Sequence, residues 1–328
     1  MPSPPLPSDS AISVATTSQN TADSTTRLKS KSPRNSPTTI PYIQLTPEEQ
    51  AAQDIENTAA VQQAQEEIDI DSSSDGHSIS GESGYETDSL QSASTSLGSS
   101  VRNYAWEHGR RYHRFREGVY NFPNDDSEQD REDMKHAMMV NLLQRLHFAP
   151  IGPDPQNILD MGTGTGIWAI ERLAQAYETH LKPGGWFELQ EIHHYPYCHD
   201  GSMPPTYKVA EFWTNIIAAL ARLGVNFNAT LLLADMMREA GFTNVTTRLF
   251  HVPIGTWPRN KVLKMVGLYW RTILIDGLQP IALGPMTRGL GWSREQVEVW
   301  LVDVRKAYME GEVHSHMPLH IICGQKPE

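Results

Sequence analysis

The chain has 328 residues, a formal net charge of −12, 39% hydrophobic residues and only two cysteines. The negative charge argues against direct nucleic-acid binding, because such faces need clustered Lys and Arg. No apolar run approaches the roughly 18 residues of a membrane span, so we expect no membrane partner. Cys198 and Cys323, in a chain without a signal peptide, favour a reducing location, cytoplasmic and/or nuclear.

The first hundred residues differ in composition from the rest. They are rich in Ser, Thr, Pro, Gln, Asp and Glu, and their only aromatic residues are Tyr42 and Tyr85. Such a segment cannot bury enough apolar surface to offset the entropy of ordering its backbone. We therefore predict a disordered tail over 1–100 and one folded domain over 101–328.

The first part of the folded region contains three predicted elements. The stretch 103–113 is too dense in aromatic and basic residues for a linker. A turn at 123–126 leads into 131–146, where Met134, Met138, Leu142 and Leu146 recur at helical spacing. The apolar segment 157–161 then predicts a short buried strand.

The second part alternates strands with helices. We predict strands over 186–192, 244–251 and 319–323, since these runs are apolar and follow turn residues. A helix of about 209–220 buries Val209, Phe212, Trp213, Ile216, Ile217 and Leu220, which share one helical face. Further helices run from about Ala229 to Gly241, and onward from the Ser293 and Gln296 capping-box pattern. The alternation predicts an α/β fold with a mainly parallel sheet.

A glycine-rich turn follows the predicted strand at 157–161. It contains Asp160 and a Gly-x-Gly-x-Gly pattern formed by Gly162, Gly164 and Gly166. Glycine reaches positive φ without strain and lets a ligand approach the backbone, while free N–H groups at a helix start point outward. Dinucleotide folds space their glycines as G-x-G-x-x-G, and Ile167 stands where that third glycine would be. The pattern favours a methyltransferase, the alternatives being a dinucleotide site and a structural turn without ligand.

Three segments together resemble the fungal LaeA-like methyltransferases, the TAM-domain group. They are 109–113, the glycine-loop segment 157–168 and the segment 181–191, and the similarity runs from about Ser96 to the terminus. The resemblance implies a doubly wound, Rossmann-like class I methyltransferase fold with S-adenosyl-L-methionine as cofactor.

The resemblance also implies roles for individual residues. Gly162, Thr163, Gly164, Thr165 and Gly166 would line the methionine half of S-adenosylmethionine, with Asp160 near its amino group. Tyr112 and His113 lie in the family's N-terminal motif and could cover the pocket. A core-packing role for Tyr112 is an equal alternative.

The segment after the glycine loop is shorter than the family pattern. In doubly wound folds a second strand ends about 20 residues after the loop in an acidic residue that binds ribose. Here the stretch 167–181 has room for one helix and holds only the acids Glu171 and Glu178. We expect the loss of about three central strands, roughly 65 residues, with a junction near Glu171 and Arg172. A lost exon or mistaken gene model and an evolved short form both explain the gap.

Three histidines near the end of the strand 186–192 invite a metal hypothesis. The three are His193, His194 and His199, and since adjacent residues on a strand point to opposite faces, His193 and His194 cannot easily share one ion. We therefore predict no metal site. Catalytic residues are not identified, because methyl transfer needs mainly an aligned nucleophile and sulfonium.

Two functions from different classes remain. The first is a methyltransferase that moves the methyl group from S-adenosylmethionine to an unknown acceptor, either a small molecule or a protein, by in-line displacement. The resemblance implies a nuclear regulator of fungal secondary metabolism with a nuclear regulatory protein as partner. The alternative is a non-catalytic interaction protein that has lost the ability to hold the cofactor.

Overall fold

The computed structural model describes residues 46–72, 104–107, 109–113, 123–152 and 181–328. The first elements in chain order are helix α1 (Pro47–Gln65), strands β1 (Tyr104–Glu107) and β2 (Arg110–His113), and helix α2 (Asp126–Leu143). The remaining elements are β3 (Trp186–Ile192), β4 (Tyr197–Cys198), α3 (Lys208–Arg222), a short 3₁₀ turn (Ala229–Leu231), α4 (Leu233–Glu239), β5 (Thr243–Pro253), α5 (Lys261–Leu290), α6 (Arg294–Met309) and β6 (Ser315–Gln325). None of the helices in these ranges is long and apolar enough to cross a membrane.

The larger sheet is organised around the last strand, β6. Its residues from Leu319 to Gln325 pair with β3, and Ser315 and His316 pair with β4 on the same side. Strand β5 pairs along the opposite side of β6. All these pairings are antiparallel, so β3 and β5 run in the same direction on either side of a reversed strand.

The α/β class is confirmed as a mixture of helices and sheets. The prediction of a mainly parallel sheet is wrong for the described strands, because β6 returns between β3 and β5 rather than adding at an edge. The predicted strand at 157–161, and the expected loss of central strands, concern residues outside the described ranges.

The two faces of the sheet are covered differently. Along β6, Met317, Leu319, Ile321 and Cys323 alternate into the main hydrophobic cluster, which also contains the buried sides of α3, α5 and α6. Ile322 faces the other way and packs with Leu233 and Met237 of α4 in a second cluster. The sheet therefore contributes apolar side chains to a core on each face.

Helices α3 and α6 form where amphipathic spacing predicts them. Ser293 caps α6 in a capping box with Gln296, as its sequence indicates. The buried indole of Trp213 in α3 donates to the hydroxyl of Tyr308 in α6, at 3.0 Å. This bond satisfies both polar atoms inside the core, where an unpaired group would destabilise the fold.

Helix α5 is not predicted by the sequence pattern, because it contains two internal prolines and several glycines. Tertiary packing explains its formation. A Cβ at Gly267 would overlap the carbonyl oxygen of Gly255, whose own N–H donates to the Gly267 carbonyl at 2.9 Å. A Cβ at Gly289 would likewise overlap the backbone of Ala219 in α3. Glycine thus permits backbone contacts that helix propensity alone would disfavour.

The expected disorder of the N-terminal tail needs correction over residues 46–72. This stretch forms α1, which packs against α2, α5 and β5, and a following segment. Ala60 and Ala64 of α1 and Ile68 of that segment are buried in the main hydrophobic cluster. Small side chains let the helix approach closely, so it needs few large apolar residues to dock. Residues 1–45 and 73–103 lie outside the described ranges.

The predicted aromatic and basic stretch contains the hairpin β1–β2, with Gly109 in its turn at a φ of +83°. Asp125 caps α2 by accepting from the backbone N–H of Glu128. The same carboxylate accepts from Arg110 of β2 at 2.5 and 2.8 Å. One aspartate therefore joins the hairpin to the start of α2, and the Arg110 hydrogen bond lowers the pKa of that carboxyl.

We expect Ala60→Asp to lower the free energy of unfolding by about 3 kcal/mol, because it would bury an unpaired charge. The same substitution at the exposed Ala52 of α1 should change stability by less than about 0.5 kcal/mol. Chemical denaturation of both variants measures the difference. Equal stability of the two would show that α1 does not dock as described.

We expect Asp125→Ala to destabilise the protein by about 2 kcal/mol, through loss of the helix cap and of the Arg110 partner. The adjacent Asp126→Ala serves as control, since the Asp126 side chain is 92% exposed. Because folding depresses the pKa of Asp125, its contribution should be complete at neutral pH and fade below about pH 4. Denaturation at pH 7 and pH 3 tests both statements, and a deficit that grows on acidification would contradict them.

Candidate functional site

The residues predicted to hold the cofactor fall mostly outside the described ranges. Asp160 and the loop residues Gly162, Thr163, Gly164, Thr165 and Gly166 all lie within 153–180. Their assignment to the cofactor therefore stays a prediction. The flanking residues, in contrast, are described on both sides of this segment.

The chain before this segment is fastened to strand β3 by Glu188. The carboxylate of Glu188 accepts from the backbone N–H groups of Phe148 and Ala149, at 2.7 and 2.6 Å. Two backbone donors on one carboxylate form strong, charge-assisted hydrogen bonds. The chain therefore leaves for the glycine-loop segment from a fixed position on the sheet.

Neighbouring contacts reinforce this position. The side-chain amide of Gln190 donates to the carbonyl of Leu146 at 2.9 Å and to Glu188 at 2.7 Å. The ring of Phe148 lies 5.6 Å from that of Phe250 in β5. The segment after α2 is thus held across the sheet from β3 to β5.

The thiol of Cys323 in β6 lies 3.5 Å from the Glu188 carboxylate. Burial, together with the negative charge of Glu188, raises the pKa of this thiol to about 12. The thiol is therefore protonated at neutral pH and acts as a weak donor rather than as a nucleophile.

Tyr112 lies in β2 opposite Ala105. Among the residues predicted to bind the cofactor, it alone falls within the described ranges. It is half-buried, and burial followed by the charge of Glu107 raises the pKa of its hydroxyl. The positive charge of Arg288 in α5 acts on it in the opposite direction. Tyr112 therefore keeps a protonated hydroxyl near the hairpin and α5, and its contact with a cofactor stays a prediction.

His193 and His194 occupy different surroundings, in accord with their expected opposite directions. The Nε2 of His193 lies 3.1 Å from the Asn228 amide oxygen, and burial lowers its pKa. His194 instead lies among the rings of Trp213, Phe227 and Trp270. The two rings do not share a site.

His199 lies elsewhere, beside His251 of β5 and His316 of β6. Their ring centroids are 4.3 to 4.9 Å apart, and one ring nitrogen from each lies within 4.8 Å of the others. Burial, then the neighbouring histidines, lowers the pKa of His316 to about 3, and burial also lowers that of His251. The sequence gives no spacing signal for this cluster, because its members come from the bend after β4 and from the separate strands β5 and β6.

Comparison with known proteins supplies the family. No protein-family model matches the chain. The methyltransferase pytC of Aspergillus terreus is 32% identical over 298 residues, covering 72% of this chain and 92% of the relative. The secondary metabolism regulator LAE1 of Cochliobolus heterostrophus is 27% identical, covering 68% of this chain and 94% of that protein.

A third relative is the protein-methionine methyltransferase laeA of Emericella nidulans, which is 25% identical over 67% of this chain and 76% of its own length. The similarity to pytC exceeds 30% identity and spans nearly all of that protein. The resemblance seen in the glycine loop and its neighbouring segments is thereby confirmed, and the chain belongs to the LaeA-like methyltransferases.

Proposed function

We propose that the domain is built to transfer a methyl group from S-adenosylmethionine to an acceptor by in-line displacement. The observation that carries this proposal is the acid followed by Gly-x-Gly-x-Gly at 160–166, in a chain whose relatives include proteins named methyltransferases. Backbone N–H groups at the helix start after such a turn would hold the methionine carboxylate.

The described flanks support a cofactor loop beside β3. The described part before the glycine loop ends at Gly152, three residues after Ala149, which is hydrogen-bonded to Glu188 of β3. The chain is described again from Leu181, five residues before β3 begins. No described strand pairs with the edge of β3 that faces away from β6. A strand at 157–161 could add at that edge through a right-handed crossover containing the predicted helix.

The biological role follows from the relatives as a proposal. Several relatives are named secondary metabolism regulators, including LAE1. We extend to this chain a regulatory role in fungal secondary metabolism, in the nucleus and/or the cytoplasm, together with a nuclear regulatory protein as partner. The methyl acceptor is a small molecule or a protein.

A second function, that of a non-catalytic interaction protein, is favoured by the short stretch 167–181. The alignment with pytC is 298 residues long, but it includes only 72% of the 328 residues of this chain, which is fewer than 298. The relative therefore contains aligned positions with no counterpart here. Loss of the strands that bind ribose and adenine would leave a folded surface with a weakened cofactor site.

We expect this chain to bind S-adenosylmethionine weakly or not at all. A hydrogen bond to a charged carboxylate contributes about 1.5–3 kcal/mol, and one decade of affinity is about 1.4 kcal/mol. Loss of the ribose carboxylate alone should weaken binding by about one to two decades. Titration calorimetry on the purified chain measures this affinity.

The matched control carries the corresponding segment of pytC inserted between Glu171 and Arg172. Binding that appears only after insertion would support both the methyltransferase proposal and the missing segment. Low-micromolar binding by the short chain would contradict the predicted weakness. Absence of binding in both proteins, with the inserted form folded by circular dichroism, would favour the interaction protein.

We expect Gly164→Val to abolish cofactor binding in the form carrying the inserted segment. A β-branched side chain would occupy ligand space and resist the backbone angles of the turn. Gly311→Val is the control, since a Cβ at Gly311 meets no atom within 4 Å. Unchanged calorimetric affinity of the Gly164 variant would exclude the loop as the cofactor site.

A further inference from the structure

The cluster of His199, His251 and His316 is a product of strand register. In the sheet, His316 of β6 lies opposite Pro253 of β5 and opposite Tyr197 of β4. His251 precedes Pro253 by two residues, and His199 follows Tyr197 by two. Because side chains two residues apart on a strand share a face, His251 and His316 project to the same side of the sheet. His199 lies in the bend directly after β4, and its ring centroid is 4.9 Å from that of His251 and 4.4 Å from that of His316.

The separation of the rings suits a metal ion. One nitrogen from each histidine lies within 4.8 Å of the other two. Zinc binds imidazole nitrogens at about 2.0–2.1 Å, so tetrahedral ligands stand about 3.4 Å from one another. Small rotations of the side chains would close the remaining distance. Imidazole is a preferred ligand of zinc and of the neighbouring divalent transition metals.

One ring is already oriented for coordination by a hydrogen bond. The Nδ1 of His251 lies 3.1 Å from the backbone carbonyl oxygen of Glu66, which can only accept. Nδ1 must therefore carry the proton, and Nε2 presents its lone pair. Such a bond to the second ring nitrogen fixes the tautomer and direction of metal-binding histidines in general.

A small cleft beside the cluster provides space for a further ligand. It has a volume of ≈ 20 Å³, enough for one water molecule. Its lining includes His199 and His316, together with Asp200, His314, Glu67 and Ile68. Three imidazoles plus water form a ligand set known from zinc sites with an open position.

The segment after α1 closes over this region. Its backbone pairs with the loop after β5 through two hydrogen bonds. The N–H of Asp71 donates to the carbonyl of Trp257 at 2.9 Å, and the N–H of Arg259 donates to the carbonyl of Asp69 at 2.7 Å. Asp71 also forms an ion pair with Lys264 of α5. An ion held by the three histidines would add to these contacts, because the Glu66 carbonyl orients one of its ligands.

We propose that His199, His251 and His316 bind one divalent transition metal ion of the zinc class, with water as a fourth ligand. The ion links the bend after β4 to strands β5 and β6, beside the segment after α1. The proposal uses no residue of the glycine loop, so metal binding is expected whether or not the chain binds S-adenosylmethionine.

The test uses the full chain, purified without a polyhistidine tag and freed of metal by dialysis against a chelator. Zn²⁺ is then titrated in competition with a chromophoric chelator. His199→Ala is the main variant, because the His199 side chain is exposed and its removal should leave the fold intact. His136→Ala, at an exposed histidine of α2, is the matched control.

We expect one Zn²⁺ per chain, an affinity at least about tenfold lower in the His199 variant, and an unchanged affinity in the His136 control. Zn²⁺ should also raise the thermal midpoint of the wild-type chain but not that of the His199 variant, because the ion binds only the folded site. His251→Ala should repeat the loss.

Three results would overturn the proposal. They are no stoichiometric binding by the wild-type chain, equal affinity in the His199 variant, and equal weakening in the His136 control. Circular dichroism of each metal-free variant confirms that affinity is compared between folded proteins.

Discussion

The structure depends on the insertion of β6 between two strands that run in the opposite direction. Strand β6 exchanges backbone hydrogen bonds with β3 and β4 on one side and with β5 on the other. On one face its side chains join the main hydrophobic cluster, and on the other face Ile322 joins the second cluster. Since buried backbone groups need partners, removal of this strand would expose two unpaired edges and both cores at once.

The sequence is most informative where local signals and burial agree. The apolar faces of α3 and α6 and the Ser293 capping box all predict helices that the structure contains. Helix α5 is not predictable from the sequence pattern, because Pro280 and Pro285 oppose helix formation. Packing against neighbouring backbone offsets their unfavourable helix propensity. The docking of helix α1 is also not predictable from composition, since the helix buries alanines rather than large apolar residues.

The two candidate sites differ in how well the sequence predicts them. The glycine loop is continuous in the chain, so its residues were found by pattern, and the relatives confirm the family they indicate. The histidine cluster joins His199, His251 and His316, whose proximity depends on the register of β5 and β4 with β6 and on the bend directly after β4. No local spacing records that register, and the expectation of no metal site rested on adjacent histidines alone. A one-residue slip of β6 would turn His316 to the opposite face.

Hydrogen exchange of the full chain, followed by mass spectrometry, tests the central role of β6 most directly. The backbone N–H groups of residues 319–323 lie where β6 pairs with β3 on one side and β5 on the other, between two cores, so they should open only with global unfolding. We predict that they are among the slowest to exchange in the described part of the chain, and far slower than the amides of α1. Exchange of β6 as fast as that of α1 would contradict the account.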